Sequence, residues 1–303
     1  MRALPSGYNS GSIHGDDDGL FNSFSQQLVL VNTGTISSAG GNSYLSASGG
    51  AGLDIIHNHG SMIGDIWMSG GHDLYDGRGG TVDGTVYGEE EDDSFIAGLS
   101  AEVFDGGSGN DLLDFSRSSG VTASLDNTVQ GTRGAEGDSY VNIENLTGSA
   151  NGNDKLYGSA ANNALAGQGG ADVLAAGDGN DQLTGGVGAD VLTGGNGNDT
   201  FVFSAVAEAG DMIRDYGSTF GDNDIFWIGA AGFGGGLAAG AVSAAQFQVS
   251  ADTVALTATV RFLFDTADKT LWFDANGNGA GGLVMIADLQ ANAVVTLADL
   301  FLI

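Results

Sequence analysis

Several residue types are scarce or missing in this chain of 303 residues. It contains no cysteine, one proline and eight lysines and arginines in total. Without cysteine, neither disulfide bonds nor thiolate metal sites are available. The 38 acidic residues give a net charge of −30, which repels the phosphates of nucleic acids and of anionic lipids. Neither is therefore an expected partner.

Long apolar runs and familiar catalytic patterns are also missing. No stretch of 18 apolar residues exists, so no transmembrane segment is expected. The residues after Met1 are polar and glycine-rich, so no cleaved signal peptide is expected. The sequence has neither the His-Glu-x-x-His pattern of zinc metalloproteases nor the Gly-x-Ser-x-Gly pattern of lipases. No catalytic residues are predicted.

Glycine, in contrast, is abundant. It accounts for 54 of the 303 residues, more than twice its usual share of about 7%. The 42% of hydrophobic residues is too high for a disordered chain, whereas the net charge opposes compaction. These two properties agree if cations bind as the chain folds.

The glycines belong to a nine-residue repeat between Leu146 and Phe203. An acidic or amide residue recurs at every ninth position: Asp154, Asn163, Asp172, Asp181, Asp190 and Asp199. Each is followed two residues later by an apolar residue: Leu156, Leu165, Leu174, Leu183, Leu192 and Phe201. A unit this short predicts one tight turn plus one three-residue strand whose middle side chain points inward.

The turns before the acidic positions predict metal sites. Glycine permits positive φ and lets backbone carbonyls crowd towards a common centre, and the aspartate adds a carboxylate. Hard oxygen ligands in a flexible arrangement favour Ca²⁺ over zinc or copper. Stacked aspartates repel one another unless a cation lies between them. The repeat therefore predicts several calcium ions.

Further units of this kind occur upstream. Gly49–Ile56 and Gly106–Leu113 match the repeat at every defined position. Between them, Asp73 follows Asp54 after 19 residues, and Asp93 follows Asp73 after 20 residues. The residues predicted to bind metal are Gly49, Gly50, Gly52, Asp54, Asp93, Gly106, Gly107, Gly109, Asp111, Asp154, Gly167, Gly170, Asp172, Gly177, Gly179, Asp181, Gly185, Gly186, Gly188, Asp190, Gly194, Gly195, Gly197 and Asp199.

The pattern G-G-x-G-x-D-x-U-x, with U apolar, resembles the nonapeptide repeat of the RTX, or hemolysin-type calcium-binding, family. The resemblance implies an all-β fold, a parallel β-roll or β-helix, in which units two apart stack and share an ion. One side would then carry Asp154, Asp172 and Asp190, and the other Asn163, Asp181 and Asp199. Four departures from the pattern occur: Asn163 has no charge, Gln168 replaces the second glycine, Ala176 replaces the first, and the unit before Asp154 has lost both glycines.

Three domains are expected. Residues 1–100 form an N-terminal β-roll or β-helix with degenerate repeats and two strands per turn. Residues 101–203 form the calcium-binding β-roll, interrupted by an insertion at about 115–145. Residues 204–303 form a β-rich domain that resembles the C-terminal type I secretion domain of RTX proteins. Its last residues, Leu297–Ile303, are interpreted as the secretion signal, although a final buried strand would account for them as well.

The resemblance implies a secreted, extracellular protein that folds on binding Ca²⁺ after export by type I secretion machinery. A non-catalytic surface, matrix or adhesin-like role is favoured, with cell-surface association and a polysaccharide partner left open. The alternative is an extracellular polysaccharide lyase, hydrolase or epimerase with its site on the N-terminal roll. Asp274–Gly279 copies the first half of an EF-hand loop, but a hairpin turn explains it equally well.

Overall fold

A computed structural model describes residues 6–15, 28–38, 52–98, 100–217 and 222–303. The chain divides into two compact units, Met1–Thr147 and Gly148–Ile303. Gly49 and Gly50, two of the residues predicted to bind metal, lie outside the described residues. Within the described ranges, none of the helices has the length and apolar character needed to span a bilayer.

The described residues of the first unit form short strands joined by turns. In chain order these are β1 (Ser6–Asn9), β2 (Ser12–Gly15), β3 (Val29–Asn32), β4 (Thr35–Ser38), β5 (Ile55–Asn58), β6 (Ser61–Ile63), β7 (Ile66–Trp67), β8 (Leu74–Asp76), β9 (Thr81–Asp83), β10 (Thr85–Glu90), β11 (Ser94–Ile96), β12 (Val103–Ser108), β13 (Leu112–Asp114), β14 (Thr122–Ser124), β15 (Ser139–Val141) and β16 (Asn145–Thr147).

Parallel pairing organises these strands into three sheets. The first has the order β1-β3-β5-β8-β11-β13-β16, the second β2-β4-β6-β9, and the third β7-β10-β12-β15. Successive strands of one turn, such as β8, β9 and β10, each belong to a different sheet. This is the parallel β-helix arrangement, and it confirms the all-β fold class with parallel strands.

The expectation of two strands per turn is wrong for this part of the first unit, where a turn contains three. Gly64 separates β6 from β7 and has a φ of 107°, a backbone conformation that L-residues with side chains rarely adopt. Gly84 separates β9 from β10 at the corresponding corner. A Cβ atom added to Gly84 would lie 2.4 Å from the carbonyl carbon of Gly64. Two stacked glycine corners therefore divide what the sequence pattern suggests is one strand.

Aromatic side chains fill the interior of this unit. Tyr75, Phe95 and Leu113 are adjacent in the register of β8, β11 and β13, and all three are fully buried. Phe104, on β12, packs against them, with its ring centroid 5.2 Å from that of Phe95 and 5.9 Å from that of Tyr75. The predicted inward residues at this level are thus in the core.

Three asparagines stack at one corner of the first unit. The Nδ2 of Asn9 donates to the Oδ1 of Asn32 (2.8 Å), and the Nδ2 of Asn32 donates to the Oδ1 of Asn58 (2.9 Å). Each Oδ1 also accepts a hydrogen bond of 3.2 Å from the backbone N–H two residues later. All three side chains are buried. We call this column the asparagine ladder.

The second unit continues with β17 (Lys155–Tyr157), β18 (Ala164–Ala166), β19 (Val173–Asp178), β20 (Gln182–Thr184), β21 (Val191–Asn196), β22 (Thr200–Ala205), a 3₁₀ turn (Val206–Glu208), β23 (Asp211–Ile213), β24 (Ile225–Gly229), the short helix α1 (Ala230–Phe233), β25 (Gly240–Ala241), β26 (Phe247–Ser250), β27 (Phe262–Asp265), β28 (Thr270–Asp274), β29 (Leu283–Leu289), a second 3₁₀ turn (Leu297–Asp299) and β30 (Leu300–Leu302).

Alternate strands of the second unit lie in two facing series. One sheet contains β17-β19-β21-β23-β29-β28-β27-β26, and the other contains β18-β20-β22-β24-β30-β25. The apolar residues of the repeat pair in register across neighbouring strands, and all are buried: Leu156, Leu174, Leu192 and Ile213 in the first sheet, and Leu165, Leu183, Phe201 and Phe226 in the second. The nine-residue period thus produces a two-sheet roll.

Residues beyond 203 extend both sheets. The strand β28 pairs in antiparallel fashion with both β27 and β29, and Asp274–Gly279 comprises the last residue of β28 and part of the hairpin turn that leads to β29. There the Oδ1 of Asp274 accepts a hydrogen bond of 3.1 Å from the backbone N–H of Asn276. The final strand, β30, pairs in parallel with β24 and buries Leu300 and Leu302.

Candidate metal sites

Buried aspartates stack in two ladders in the second unit. In the first, the backbone N–H of Asp154 donates to the Oδ1 of Asp172 (2.8 Å), and that of Asp172 donates to the Oδ1 of Asp190 (2.8 Å). The backbone N–H of Asp190 donates in turn to the Oδ1 of Asp211 (3.0 Å). The same bond therefore repeats from each turn to the next one downstream.

The second ladder follows the same rule on the other series of turns. The backbone N–H of Asn163 donates to the Oδ1 of Asp181 (2.7 Å), and that of Asp181 donates to the Oδ1 of Asp199 (2.9 Å). Asp224 accepts from the backbone N–H of Asp199 (2.9 Å). The structure thus separates these residues into the two predicted sets; their role as metal ligands remains a prediction.

A third aspartate ladder runs through the first unit. The backbone N–H groups of Leu28, Asp54, Asp73 and Asp93 each donate to the Oδ1 of the next aspartate, the last of which is Asp111, over 2.6–2.7 Å. The intervals of 19 and 20 residues therefore produce the same contact as the strict interval of 18. The longer β-helix turns and the short repeat turns share one kind of aspartate corner.

The second carboxylate oxygen of most of these aspartates has no donor. Within the described part of the chain, Oδ2 is buried and accepts no hydrogen bond in Asp54, Asp73, Asp93, Asp111, Asp172, Asp181, Asp190, Asp199 and Asp211. A buried carboxylate oxygen without a partner carries a desolvation cost of at least about 1–3 kcal/mol. A bound cation would remove that cost, so these oxygens fit a metal.

Glycine carbonyls lie beside the unpaired oxygens. A Cβ atom added to Gly167 would lie 2.4 Å from the Oδ2 of Asp172 and 2.6 Å from the carbonyl oxygen of Gly185. Oxygens from two successive turns therefore converge on a space that any side chain at Gly167 would fill. The predicted first glycines of the other complete turns, Gly106, Gly185 and Gly194, face an aspartate Oδ2 in the same way, at 2.4, 2.5 and 2.1 Å from the added Cβ.

The other predicted glycines have two structural roles. Positive φ values from 94° to 156° occur at Gly107, Gly170, Gly177, Gly179, Gly186, Gly188, Gly195 and Gly197. Gly109 packs against the backbone instead, since a Cβ atom added to it would lie 2.2 Å from the carbonyl oxygen of Glu91. Gly52 contributes its carbonyl oxygen to a similar contact, because a Cβ atom added to Gly71 would clash with that oxygen. Gln168 takes the place of a second glycine and adopts a φ of 73°, which is unfavourable for a residue with a Cβ.

Burial changes the protonation of these carboxyl groups. It raises the pKa of Asp172 and of Asp199 to about 7, and that of Asp211 to about 8, while the backbone hydrogen bonds to them act in the opposite direction. Neighbouring carboxylates raise these pKa values further. A divalent cation would reverse the effect, because it stabilises the ionised form.

Asp154 and Asn163 are placed in the ladders but differ from the other members. The Oδ2 of Asp154 accepts from the backbone N–H of Ser149 (2.7 Å), and its Oδ1 accepts from the Ser149 hydroxyl (2.9 Å). The Oδ1 of Asn163 accepts from the backbone N–H of Ser159 (2.7 Å). Serine donors here satisfy the oxygens that a cation would satisfy elsewhere. Of the predicted aspartates, Asp154 is therefore the one whose surroundings least require a metal.

The list of predicted residues omits three aspartates that the structure places in the ladders: Asp73, Asp211 and Asp224. Each is followed two residues later by a buried aromatic or aliphatic residue, as in the repeat, but the complete glycine turn before it is missing. A search for the acid and apolar pair alone, without the glycines, would have found all three.

The acidic side chains are spread along the ladders rather than gathered. Across the described ranges, no group of three or more histidine, aspartate or glutamate side chains meets at one point. Each aspartate can therefore supply one or two ligands to an ion, and the remaining ligands must be backbone carbonyls. Such an oxygen-only donor set suits Ca²⁺.

A parallel β-roll whose turns place buried aspartates beside glycine carbonyls defines a class of calcium-binding repeat protein. The family model of the RTX calcium-binding nonapeptide repeat, in four copies, matches residues 78–113, 149–183 and 166–201. These residues therefore form RTX calcium-binding nonapeptide repeats, which bind Ca²⁺ at several turns. A search of the curated proteins gives no match.

Proposed function

We propose that this protein is exported by type I secretion machinery and folds outside the cell when its aspartate ladders bind Ca²⁺. The observation that carries the proposal is the row of buried Oδ2 atoms without donors. Without a cation, closing each turn buries an oxygen that water solvates in the unfolded chain. With a cation, the same oxygen becomes a ligand.

Mass action makes this coupling depend on the calcium concentration. A ligand that binds only the folded state stabilises it by about 2.7 kcal/mol when its concentration is 100 times its Kd. Several such sites add their contributions. A low calcium concentration inside the cell then leaves the chain extended for export, and a high concentration outside folds it. The net charge of −30 strengthens the dependence, because it opposes compaction of the metal-free chain.

The proposed role outside the cell is that of a non-catalytic surface, matrix or adhesin-like protein. We assign 1–100 to an N-terminal roll, 101–203 to the calcium-binding array and 204–303 to the export domain. The resemblance of 204–303 to type I secretion domains supports the last assignment.

One observation bears on the alternative of a polysaccharide-acting enzyme. A cavity in the first unit is lined by three arginines and by Asp114, the only carboxylate among its lining residues in the described part of the chain. Glycoside hydrolysis generally uses two carboxyl groups. We therefore propose ligand binding rather than catalysis at this cavity.

A calcium titration of chelator-treated protein, followed by far-ultraviolet circular dichroism, tests the folding proposal. We expect a cooperative transition from coil to β-structure that Mg²⁺ does not reproduce, because Mg²⁺ prefers rigid octahedral sites with bound water. Asp190→Ala should shift the midpoint to higher calcium. Asp268→Asn removes an exposed charge outside the ladders and serves as the control. A chain with the same β-signal in chelator as in calcium would contradict coupled folding.

Export requires a separate measurement. The full chain is expressed in a bacterial host with and without a type I exporter, and the culture medium is assayed. We expect the protein in the medium only when the exporter is present. Retention in the cells under both conditions would contradict the export assignment without affecting calcium-dependent folding.

A further inference from the structure

The insertion at about 115–145 contributes to a cavity that the calcium repeats do not explain. The cavity has a volume of about 350 Å³ and is lined by Arg78, Arg117 and Arg133. These are three of the eight basic residues of the chain. In a protein with a net charge of −30, their convergence on one cavity is the largest local departure from the overall charge.

Two walls of the cavity follow the ends of neighbouring strands. The strands β8, β11 and β13 are parallel, and their last residues, Asp76, Ile96 and Asp114, are adjacent in register. Because parallel strands end at the same edge of a sheet, the loops after them meet there. Arg78 comes from the first of these loops and Arg117 from the third.

Arg78 is a fixed part of the wall. Its Nε donates to the Oδ1 of Asp76 (2.7 Å), and its Nη2 donates to the Oδ2 of the same residue. Burial alone would raise the pKa of Asp76, but hydrogen bonds from Arg78 and His57 lower it to about 2. This carboxylate is therefore ionised at neutral pH and neutralises Arg78.

Arg117 and Arg133 have no such partner. Among the described residues, no carboxylate is in ion-pair contact with either guanidinium. The Nη1 of Arg133 donates to the carbonyl oxygens of Ser119 (3.2 Å) and Gly120 (3.4 Å), which hold the side chain in place. With 38 acidic residues in the chain, an intramolecular partner would have been easy to provide. The pKa of the exposed Glu136 is lowered by backbone hydrogen bonds from Gly134 and Arg133 and, to a smaller extent, by the charge of Arg133. Neither guanidinium is in direct ionic contact with a carboxylate of the described residues, so both can bind an external anion.

The rest of the lining indicates the type of anion. Ile96 and Ala97 provide an apolar surface, and Asp114 and Ser118 provide hydrogen-bonding groups. A bare inorganic ion gains nothing from an apolar wall, and the carboxylate of Asp114 opposes a dianion. A carboxylate can accept hydrogen bonds from hydroxyl groups, whereas the guanidinium fork matches a carboxylate in two parallel hydrogen bonds.

We propose that this cavity binds a hydroxylated carboxylic acid, such as a sugar acid, either free or as one residue of an acidic polysaccharide. Arg117 and Arg133 contact its carboxylate, Asp114 accepts hydrogen bonds from its hydroxyls, and Ile96 packs against its carbon skeleton. A cavity of about 350 Å³ lies at the lower end of the range of small-molecule sites, about 300–1,000 Å³, which suits a ligand of roughly one sugar ring. The proposal does not depend on export.

Isothermal titration calorimetry tests the proposal on the full chain at a fixed free calcium concentration. The probes are galacturonate, its trimer, neutral galactose and inorganic sulfate. We expect galacturonate to bind at least about tenfold more tightly than galactose or sulfate, because only galacturonate matches both the arginines and Asp114. A stronger response to the trimer identifies a polysaccharide residue as the ligand, and equal responses identify the free acid.

Two variants assign the binding to the cavity. Arg117→Gln and Arg133→Gln should each weaken galacturonate binding by about tenfold or more, since each removes a charge-assisted contact. Arg117 is exposed and makes no side-chain hydrogen bond among the described residues, so its replacement should leave the circular dichroism spectrum unchanged. Arg214→Gln, an exposed arginine of the second unit, is the control. The proposal is overturned if galacturonate does not bind the folded protein, if galactose or sulfate binds equally well, or if both variants bind like the control.

Discussion

Two columns of stacked side chains in the first unit have similar geometry but differ in whether their polar atoms are satisfied by hydrogen bonds. In the asparagine ladder of Asn9, Asn32 and Asn58, each Oδ1 accepts a backbone N–H, and the first two Nδ2 groups donate to the next asparagine. In the aspartate ladder from Asp54 to Asp111, each Oδ1 also accepts a backbone N–H, but Oδ2 has nothing to accept.

The difference is one atom per turn. The amide nitrogen of asparagine donates a hydrogen bond at the place where the carboxylate oxygen of aspartate can only accept one. The asparagine side chains therefore satisfy one another, whereas the aspartate Oδ2 atoms stay unsatisfied until a cation binds. We therefore expect the aspartate corners to depend on calcium and the asparagine corners to be independent of it.

The largest expected contrast between the two ladders is in their response to pH. In the aspartate ladder of the first unit, burial raises the pKa of Asp73 to about 7 and that of Asp93 to about 8, so without calcium the folded ladder binds more protons than the unfolded chain. Its stability is then present at low pH and is lost as the pH rises through these values. The β-signal that remains in chelator should therefore be weaker at pH 8 than at pH 5. In saturating calcium the melting temperature should instead be higher at pH 8, because protons compete with the metal.

Circular dichroism spectra in chelator across this pH range, and melts in saturating calcium, provide the measurement. The asparagine ladder has no titrating group and should contribute no pH dependence. A β-signal in chelator that rises with pH would contradict the assignment of raised pKa values to the aspartate ladder.

Placing a carboxylate in the asparagine ladder should have the next largest effect. Asn32→Asp replaces the Nδ2 that donates to Asn58 and to the carbonyl oxygen of Ser61 with an acceptor, in a fully buried position. An uncompensated buried charge of this kind costs about 3–5 kcal/mol. Denaturant unfolding should report the loss, and the exposed Asn278→Asp should change stability by less than about 0.5 kcal/mol. Equal effects of the two substitutions would remove the distinction between the ladders.

The effect of the converse substitution on stability should have opposite signs without and with calcium. Asp190→Asn gives an aspartate ladder the amide of the other column, which removes a carboxylate and supplies a donor. In chelator we expect the variant to be more stable than the wild type by about 1–2 kcal/mol. In saturating calcium it should be less stable by a similar amount, because one charged ligand is lost. The β-signal in chelator and thermal melts in saturating calcium check the reversal. A weaker β-signal than that of the wild type in chelator would be inconsistent with an unpaired Oδ2 at this turn.

The smallest expected effect concerns Gln168, which adopts a φ of 73° where the repeat has glycine. Gln168→Gly should stabilise the second unit by about 1 kcal/mol, since the left-handed conformation costs a residue with a Cβ about that much. Gln182→Gly, in the middle of the repeat but within β20, should destabilise it by about 0.5–1 kcal/mol. Denaturation midpoints in calcium compare the two. Parallel changes in both variants would show that backbone strain at Gln168 is negligible.

The nine-residue period correctly predicted the parts of the structure where the same kind of residue has the same structural role in every repeat. The interval of nine predicted both sheets of the second unit, because every Leu at the eighth position of the repeat must face the core. It failed to include Asp211 and Asp224, where longer connections replace the glycine turn. It also missed the corners at Gly64 and Gly84. Each glycine has an apolar residue two positions before it and another two positions after it, so the alternation suggests one continuous strand until the φ of the glycine is known.

Other features depend on contacts between distant residues. The asparagine ladder has a weak signal, an Asn-x-Gly triplet at Asn9, Asn32 and Asn58, but the unequal intervals obscure it. No pattern in the sequence indicated the cavity. Arg117 and Arg133 come from the insertion that breaks the repeat, and only the ends of β8, β11 and β13 bring them near Arg78.

The backbone bonds of the aspartate ladders all point the same way along the chain. Asp154 donates to Asp172, Asp172 to Asp190, and Asp190 to Asp211. Each of these bonds needs both of the turns that it joins, and the two ends of the ladder differ in the group that loses its partner. Removing the N-terminal turn leaves a carboxylate oxygen without its donor, and a cation can take that place. Removing the C-terminal turn leaves a buried N–H without an acceptor, which no cation can satisfy.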